Sequence, residues 1–269
     1  MNSEDLAILV LSCDKYCDLW NDFFNLKEKY WPDCPYPCYL ATDTVDYQRE
    51  GVQLIRFGNI RTWSICAKKA IEKIKEPYIA LFLEDAFIYK TIDSSIIADD
   101  LQFVIDKKAD FLTLERNRMQ KSLTAKDQLA PHIWRIDRHR KYGIDTSAAI
   151  WEKGFLMNEL EKEDCSAWQF EVNFCMEAES EEGLSGNIYF DDRQPFNISP
   201  IEVVRVGKLN PESIKFFHKL GYDIDTSQRA MLGWGNVYLY KFRKFLNNYS
   251  TIRNVFKRIG MMVGIKSFR

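Results

Sequence analysis

The sequence is short of several features that mark familiar classes of protein. No apolar stretch approaches the ~20 residues that a membrane-spanning helix requires. The opening Met1-Asn2-Ser3-Glu4-Asp5 is acidic, and the apolar run from Leu6 to Leu11 is too short for the core of a secretion signal. Histidine is scarce: His132, His139 and His218 are scattered through 269 residues without the H-x3-H spacing of a metal site. There is no G-x-G-x-x-G or G-x4-G-K-S/T phosphate loop and no G-x-S-x-G nucleophile elbow. Internal repeats and low-complexity segments are absent too. Neither sign of charge dominates, and a net charge of −2 argues against a general nucleic-acid binder. Seven cysteines without an export signal read as reduced thiols, so the expected location is the cytoplasm. Cys13, Cys17, Cys34 and Cys38 form two C-x3-C pairs, but structural zinc sites favour tighter C-x2-C knuckles. They read as small buried apolar residues.

What is present is a core. Hydrophobic residues make up 46% of the chain and aromatics 14%, enough for one large domain with clefts that stack flat ligands. Short apolar runs predict strands at Leu6–Ser12, Tyr36–Ala41, Val52–Phe57 and Tyr78–Leu83. Amphipathic spacing predicts helices over Asp14–Tyr30 and Thr62–Lys75. This β-α-β-β-α-β order implies a mainly parallel sheet flanked by helices. In such sheets ligands sit beyond the carboxyl ends of the strands. Ser12-Cys13-Asp14, Thr42-Asp43 and Glu84-Asp85 all fall at strand ends and are expected to line one cleft. Further on, strands are expected at Asp110–Leu114, His132–Ile136, Thr146–Trp151 and Ile201–Val206. Helices are expected at Asp93–Lys107, Gly154–Glu161, Ala167–Ala178 and Pro211–Leu220, with a loop over 115–126.

The end of the chain differs in composition. From Asn236 to Arg269 there are eight basic residues and no Asp or Glu. Apolar residues recur there at intervals of three and four, as in a basic amphipathic helix. The expected organisation is a domain over 1–235 and a basic helical tail over 236–269. Such a tail suits an anionic membrane surface, or packs on the domain with its charges solvated.

Four blocks in order, Thr62-Trp63-Ser64, Tyr78–Phe87, Ser147–Trp151 and Ala167-Trp168-Gln169-Phe170-Glu171, together resemble bacterial proteins of lipopolysaccharide and capsule assembly. More broadly the chain resembles GT-A-fold nucleotide-sugar glycosyltransferases, over roughly Leu6 to Gly221. The resemblance implies a GT-A-like (Rossmann-like) fold. It also implies a peripheral cytoplasmic enzyme that moves a sugar from a nucleotide-sugar donor to a glycan or lipid-linked acceptor.

The same resemblance assigns roles. Glu84 and Asp85 correspond to the acidic motif that holds Mn²⁺ or Mg²⁺ on the donor diphosphate, with Asp85 counted among the catalytic groups. The physical reason is that a departing diphosphate needs a cation or fixed positive charge, and carboxylates are oxygen ligands for hard cations. Ala86 stands where a further carboxylate would strengthen the motif, which questions strict metal dependence. Asp43 corresponds to a carboxylate that bonds the base or ribose, and alternatively makes an Asx-turn with Thr44. Arg61 and Lys68 are candidates for the phosphates, or are solvated surface residues. Glu171 fits the general base near a helix start, or stabilises the first turn of that helix behind a Ser166–Gln169 capping box. Two rivals remain. One is a catalytically inert GT-A-like binding or scaffold protein, which Ala86 favours. The other is a nucleotidyltransferase, for which Ser12–Tyr16 lacks a glycine- and base-rich phosphate loop.

Overall fold

The computed structural model of the protein describes residues 4–60, 62–114, 127–146 and 148–247. The chain divides into two compact units, residues 1–202 and 203–269.

The first unit is built on strand β1, Leu6–Leu11, whose six side chains are each 2% exposed or less. A strand buried on both faces needs partners on both edges, and β1 has them. It pairs in parallel with β2, Cys38–Thr42, and with β4, Tyr78–Leu83. β3, Val52–Arg56, adds in parallel beyond β2. The strand predicted from Tyr36 begins at Cys38 because Pro35 and Pro37 have no N–H to donate; the carbonyl of Pro37 still accepts from Ile8 N at 2.9 Å.

The helix expected from Asp14 begins instead as a 3₁₀ segment, Asp14–Leu19, and becomes α-helical only as α1, Trp20–Tyr30. The Asp14 carboxylate is turned away from its own helix, toward the segment after β2. α2, Trp63–Ile71, follows β3, and α3, Ser94–Lys107, follows β4 with the Asp93 side chain accepting from Ser95 N.

Beyond β4 the sheet becomes mixed. The later strands are β5 (Phe111–Thr113), β6 (Gln128–Ala130), β7 (Ile133–Arg135), β8 (Ala149–Glu152) and β9 (Ile188–Asp191). The full order is β3-β2-β1-β4-β8-β5-β9-β7-β6. β8 is antiparallel to both β4 and β5, β5 is parallel to β9, and β7 is antiparallel to β9 and β6. Seven strands therefore point one way, and β7 and β8 the other. The α/β class and the helix-flanked sheet are as expected. β6 and β9 were not expected, each being only three or four residues long.

α4, Lys153–Glu161, and α5, Ala167–Ala178, join α2 on one face of the sheet. There Trp151 packs its ring against Phe111 at 4.5 Å and beside Phe170 and Phe174. α1 and α3 cover the opposite face, through Phe23 against Phe82 and Phe103 against Tyr189. Each large apolar side chain so buried contributes about 1.5–3 kcal/mol.

The second unit begins with a hairpin, β10 (Val204–Arg205) and β11 (Lys208–Leu209), instead of the single strand expected over Ile201–Val206. Val206 and Gly207 both have positive φ, 51° and 71°, and reverse the chain between them. α6, Pro211–Lys219, has proline at its first turn, and Asn210 accepts from Glu212 N at 3.1 Å. α7, Trp234–Asn247, follows, and the boundary expected between 235 and 236 falls inside it. No helix among the described residues is long and apolar enough to cross a membrane.

One buried ionic cluster ties α3 to the end of β9. The Arg193 guanidinium lies 2.8 Å from Asp100 and 2.7 Å from Asp191, carboxylates that are 1% and 0% exposed. Burial, and then the neighbouring Asp191 charge, push the Asp100 carboxyl well above the usual carboxylate range. The folded chain thus holds a proton that the unfolded chain releases at low pH. This contribution to stability is complete below the ordinary carboxylate pKa and is lost as pH rises toward the raised value. Melting temperatures recorded from pH 5 to pH 9 should fall less steeply in Asp100→Asn than in the wild type. Arg193→Leu, which leaves the carboxyls without their cation, should cost about 3 kcal/mol or more in chemical denaturation.

Candidate functional site

Because β1 to β5 and β9 run in the same direction, their carboxyl ends share one edge of the sheet. The residues just beyond those ends are the ones with chemistry. After β1 come Cys13 and Asp14, after β2 Asp43, after β4 Glu84 and Asp85, and Asp191 and Asp192 close β9. At about 4.8 Å per strand, Asp43 and the Glu84–Asp85 turn stand about 10 Å apart along that edge, with β1 between them.

The first two strand ends are locked to each other. Asp14 accepts hydrogen bonds from Thr42 Oγ1 at 3.0 Å, Thr44 Oγ1 at 2.6 Å, Thr44 N at 3.0 Å and Val45 N at 2.9 Å. In return, Asp43 Oδ2 accepts from Asp14 N at 2.9 Å. The Asx-turn alternative for Asp43 is thus replaced by a bond across strands, and Asp14 is the residue that organises Thr44. Desolvation raises the Asp14 pKa, but the bonds from Thr44, Val45 and Thr42 together outweigh it and hold the carboxyl below its ordinary value.

The acidic strand end is a tight turn in which Ala86 N donates to Leu83 O and Phe87 N to Asp85 O, both at 3.0 Å. Glu84 is buried and Asp85 half-buried. Burial pushes the Cys13 thiol up, and the charges of Glu84, Asp43 and Asp14 add to that shift. Burial, followed by Asp43, pushes Cys66 in α2 up to about 11. Both sulfurs stay protonated at neutral pH, so neither is an activated nucleophile.

Glu171 reaches the same edge from the other side. β8 runs antiparallel to β4, so the chain entering β8 lies at the carboxyl end of β4. Thr146, in that entering segment, donates to Glu171 Oε1 from its N at 2.9 Å and from its Oγ1 at 2.5 Å. Two helix starts are also clasped together: Ser64 Oγ accepts from Cys165 N at 2.9 Å, Ser64 N donates to Cys165 O at 3.1 Å, and Trp63 packs on Phe170. Glu171 stands in the second turn of α5, not the first as expected, because Ser166 is the N-cap. The capping box is half formed: Ser166 Oγ accepts from Gln169 N at 3.2 Å, while the Gln169 side chain bonds Asn173.

Lys68 is directed at Asp164, 3.8 Å away, in the segment between α4 and α5. Arg61 lies outside the described residues. Among the described residues no three His, Cys, Asp or Glu side chains converge in a set that would enclose a metal ion. Glu84 and Asp85 are carboxylates of the type that could contribute oxygens to a divalent cation. Of the four N-terminal cysteines expected to be buried, only Cys38 is; Cys13 and Cys34 are half-buried and Cys17 is exposed.

Two groups were missed in the sequence. Thr146 has no motif and is identified only by the fold. Asp191 and Asp192 end an apolar run, Ile188-Tyr189-Phe190, just as Glu84 and Asp85 end theirs, and that pattern was legible. Their carboxylates are engaged, Asp191 by Arg193 and Asp192 by His132 at 2.8 Å and Trp134 at 2.9 Å.

No family model matches the chain, and no curated protein matches it in sequence. Solved structures similar in backbone include TarS of S. aureus, with TM-score 0.43 and 11% identity over 70% of this chain and 36% of that one. The bifunctional IspDF from Campylobacter jejuni gives TM-score 0.40 and 13% identity, over 71% of this chain and 51% of that one. The galactosyltransferase LgtC, in complex with donor and acceptor sugar analogs, gives 0.38 and 9%, over 82% and 80%. The chain thus spans about a third of TarS and about half of IspDF. At these TM-scores the likenesses carry no argument about activity, which rests on the geometry above.

The Asp14 lock is open to test. Its depressed pKa means that its contribution is present above the ordinary carboxylate pKa and lost as pH falls through the depressed value. Asp14→Asn should lower stability at pH 7 by about 1 kcal/mol. The gap to wild type should narrow on acidification below pH 3, as read by thermal melts at both pH values.

Proposed function

We propose that the chain is a nucleotide-sugar-dependent glycosyltransferase of GT-A-like architecture, acting on a glycan or lipid-linked acceptor. The observation that carries this reading is the order of groups along one sheet edge: Asp43, Asp14, Glu84–Asp85, then Glu171 held by Thr146. A nucleoside diphosphate sugar is an elongated ligand with three chemically distinct parts, and the edge offers three distinct stations. Asp43 and the Asp14-fixed loop suit the hydroxyls of a ribose or the edge of a base. Glu84 and Asp85 suit the diphosphate through a shared Mn²⁺ or Mg²⁺. Glu171 suits the acceptor.

Charge supports the cation. A diphosphate brought alone to Asp14, Asp43, Glu84 and Asp85 would be repelled, since like charges at close range cost several kcal/mol outside bulk water. Glu84 and Asp85 would hold a divalent ion that would offset this repulsion and would supply Lewis-acid stabilisation of the leaving group.

In a direct displacement the acceptor hydroxyl oxygen bonds to the anomeric carbon. The bond from that carbon to the diphosphate oxygen breaks, and the hydroxyl proton passes to Glu171. Thr146 bonds Oε1 and fixes the rotamer, leaving Oε2 for the proton. The proton is taken as the hydroxyl becomes acidic in the transition state.

Calorimetric titration with UDP-, GDP-, CMP- and dTDP-sugars, with Mn²⁺ or EDTA, tests the reading. One donor should bind in Mn²⁺, and Asp85→Asn should weaken that binding at least about tenfold with the melting temperature unchanged. Equal donor affinity in EDTA would remove the metal and leave the transferase. Glu171→Gln should keep donor affinity and lower turnover by about 10²–10⁴-fold. Donor binding without transfer to any acceptor would favour the inert binding protein, and no binding of any donor sinks both.

A further inference from the structure

Charge is segregated between the two units. Residues 203–269 carry 13 Lys and Arg against three Asp and Glu, a net charge of +10, so residues 1–202 carry −12. The whole-chain value of −2 conceals this. Within the described part of the second unit the cations accompany an unusual aromatic surface. Of the side chains of α7 from 234 to 242, only Val237 is buried. Trp234, Tyr238 and Phe242 are 38%, 63% and 51% exposed, and Val206 at the hairpin tip is 90% exposed. Solitary exposed apolar residues are ordinary, but a run of them on one helix marks an interaction surface.

Aromatic rings and cations are interleaved there. The Trp234 and Tyr238 rings lie 6.2 Å apart. Lys215 Nζ sits 4.3 Å over the Trp234 ring, and the Arg205 guanidinium 3.7 Å over Tyr240, which brings the β10–β11 hairpin against α7. Lys215 also lines a pocket of about 410 Å³ with Ile214, His218, Lys219, Asp223, Ile224 and Thr226. Asp223 in that pocket is engaged by His218 at 2.6 Å, and Glu212 by Lys241 at 2.5 Å. Two of the unit's three acids are thus already paired with neighbouring basic groups. Trp and Tyr rings with one apolar body and one polar tip, set among lysines, match the headgroup layer of a bilayer.

We infer that the C-terminal unit docks on an anionic bilayer surface, with the exposed aromatic side chains of α7 entering the headgroup layer and Lys215 and Lys219 facing lipid phosphates. The partner is chosen by complementarity: a net charge of +10 opposes anionic lipid, and the amphipathic aromatic rings suit neither bulk water nor a dry protein core. The inference does not depend on the transfer chemistry of the first unit.

Flotation of the full chain with vesicles tests it. The chain should bind phosphatidylcholine vesicles containing phosphatidylglycerol, bind pure phosphatidylcholine at least about tenfold more weakly, and be partly released by high salt. Tyr238→Ser with Phe242→Ser should lower binding about tenfold or more and leave a remainder that high salt abolishes. Lys215→Glu with Lys219→Glu should lower the salt-sensitive part. All four positions are exposed, and unchanged melting curves will confirm folding. Equal binding to both vesicle types, or undiminished binding by the aromatic variant, overturns the inference. So does a change of oligomeric state in that variant without loss of vesicle binding, which would assign the face to a second copy of the chain. Donor titration without vesicles should be unaffected by these variants, so this result and the transferase reading fail separately.

Discussion

Strand β1 has neither a free edge nor a free face. Its backbone is paired on both sides, and its six side chains are buried above and below. A strand in that position needs parallel partners joined by helical crossovers, since those crossovers supply the two covering layers. Parallel pairing has direction. It forces the carboxyl ends of β2, β1 and β4 to one edge, and with them Asp43, Asp14 and the Glu84–Asp85 turn. The candidate site follows from this constraint: three segments far apart in sequence meet because the strands that deliver them share an orientation.

The second half of the sheet reaches the same edge by the opposite device. β8 inserts antiparallel between β4 and β5, so its beginning, not its end, arrives beside Glu84. That reversal lets Thr146 meet Glu171, whose helix is fixed from behind by the Ser64–Cys165 clasp and by Trp63 on Phe170. A carboxylate held by two hydrogen bonds to one residue has few rotamers left.

Electrostatics divides the molecule. The first unit is acidic and keeps two of its buried carboxylates tolerable by placing Arg193 between them, with Asp100 sharing the burden as a neutral acid. The second unit is basic and exposes aromatic rings. In one compact core such opposed charges would have to be paired or desolvated at high cost. In two compact units each excess can stay largely solvated.

Much of this could be read from the residues. The apolar runs at Leu6 and Tyr78 specified buried strands, because a strand buried on both faces hides every one of its consecutive apolar side chains. Their polar terminators specified the edge where chemistry gathers. Pro211 marked a helix start, because the missing N–H of a proline costs nothing in the first turn. The short strand β6, with two of its three side chains exposed, left no comparable signal, and pairing with β7 is what makes it a strand. Only the tertiary structure turned Asp14 from a helix-starting residue into the clamp on Thr44, as its partners lie about 30 residues away and no local rule reports them. Likewise Glu171 was visible as an acid in a helix, while its bond to Thr146 depended on the antiparallel insertion of β8. The sequence by itself determined which segments must be buried and which groups end them; the direction and neighbour of each strand, set by long-range pairing, decided which of those groups meet.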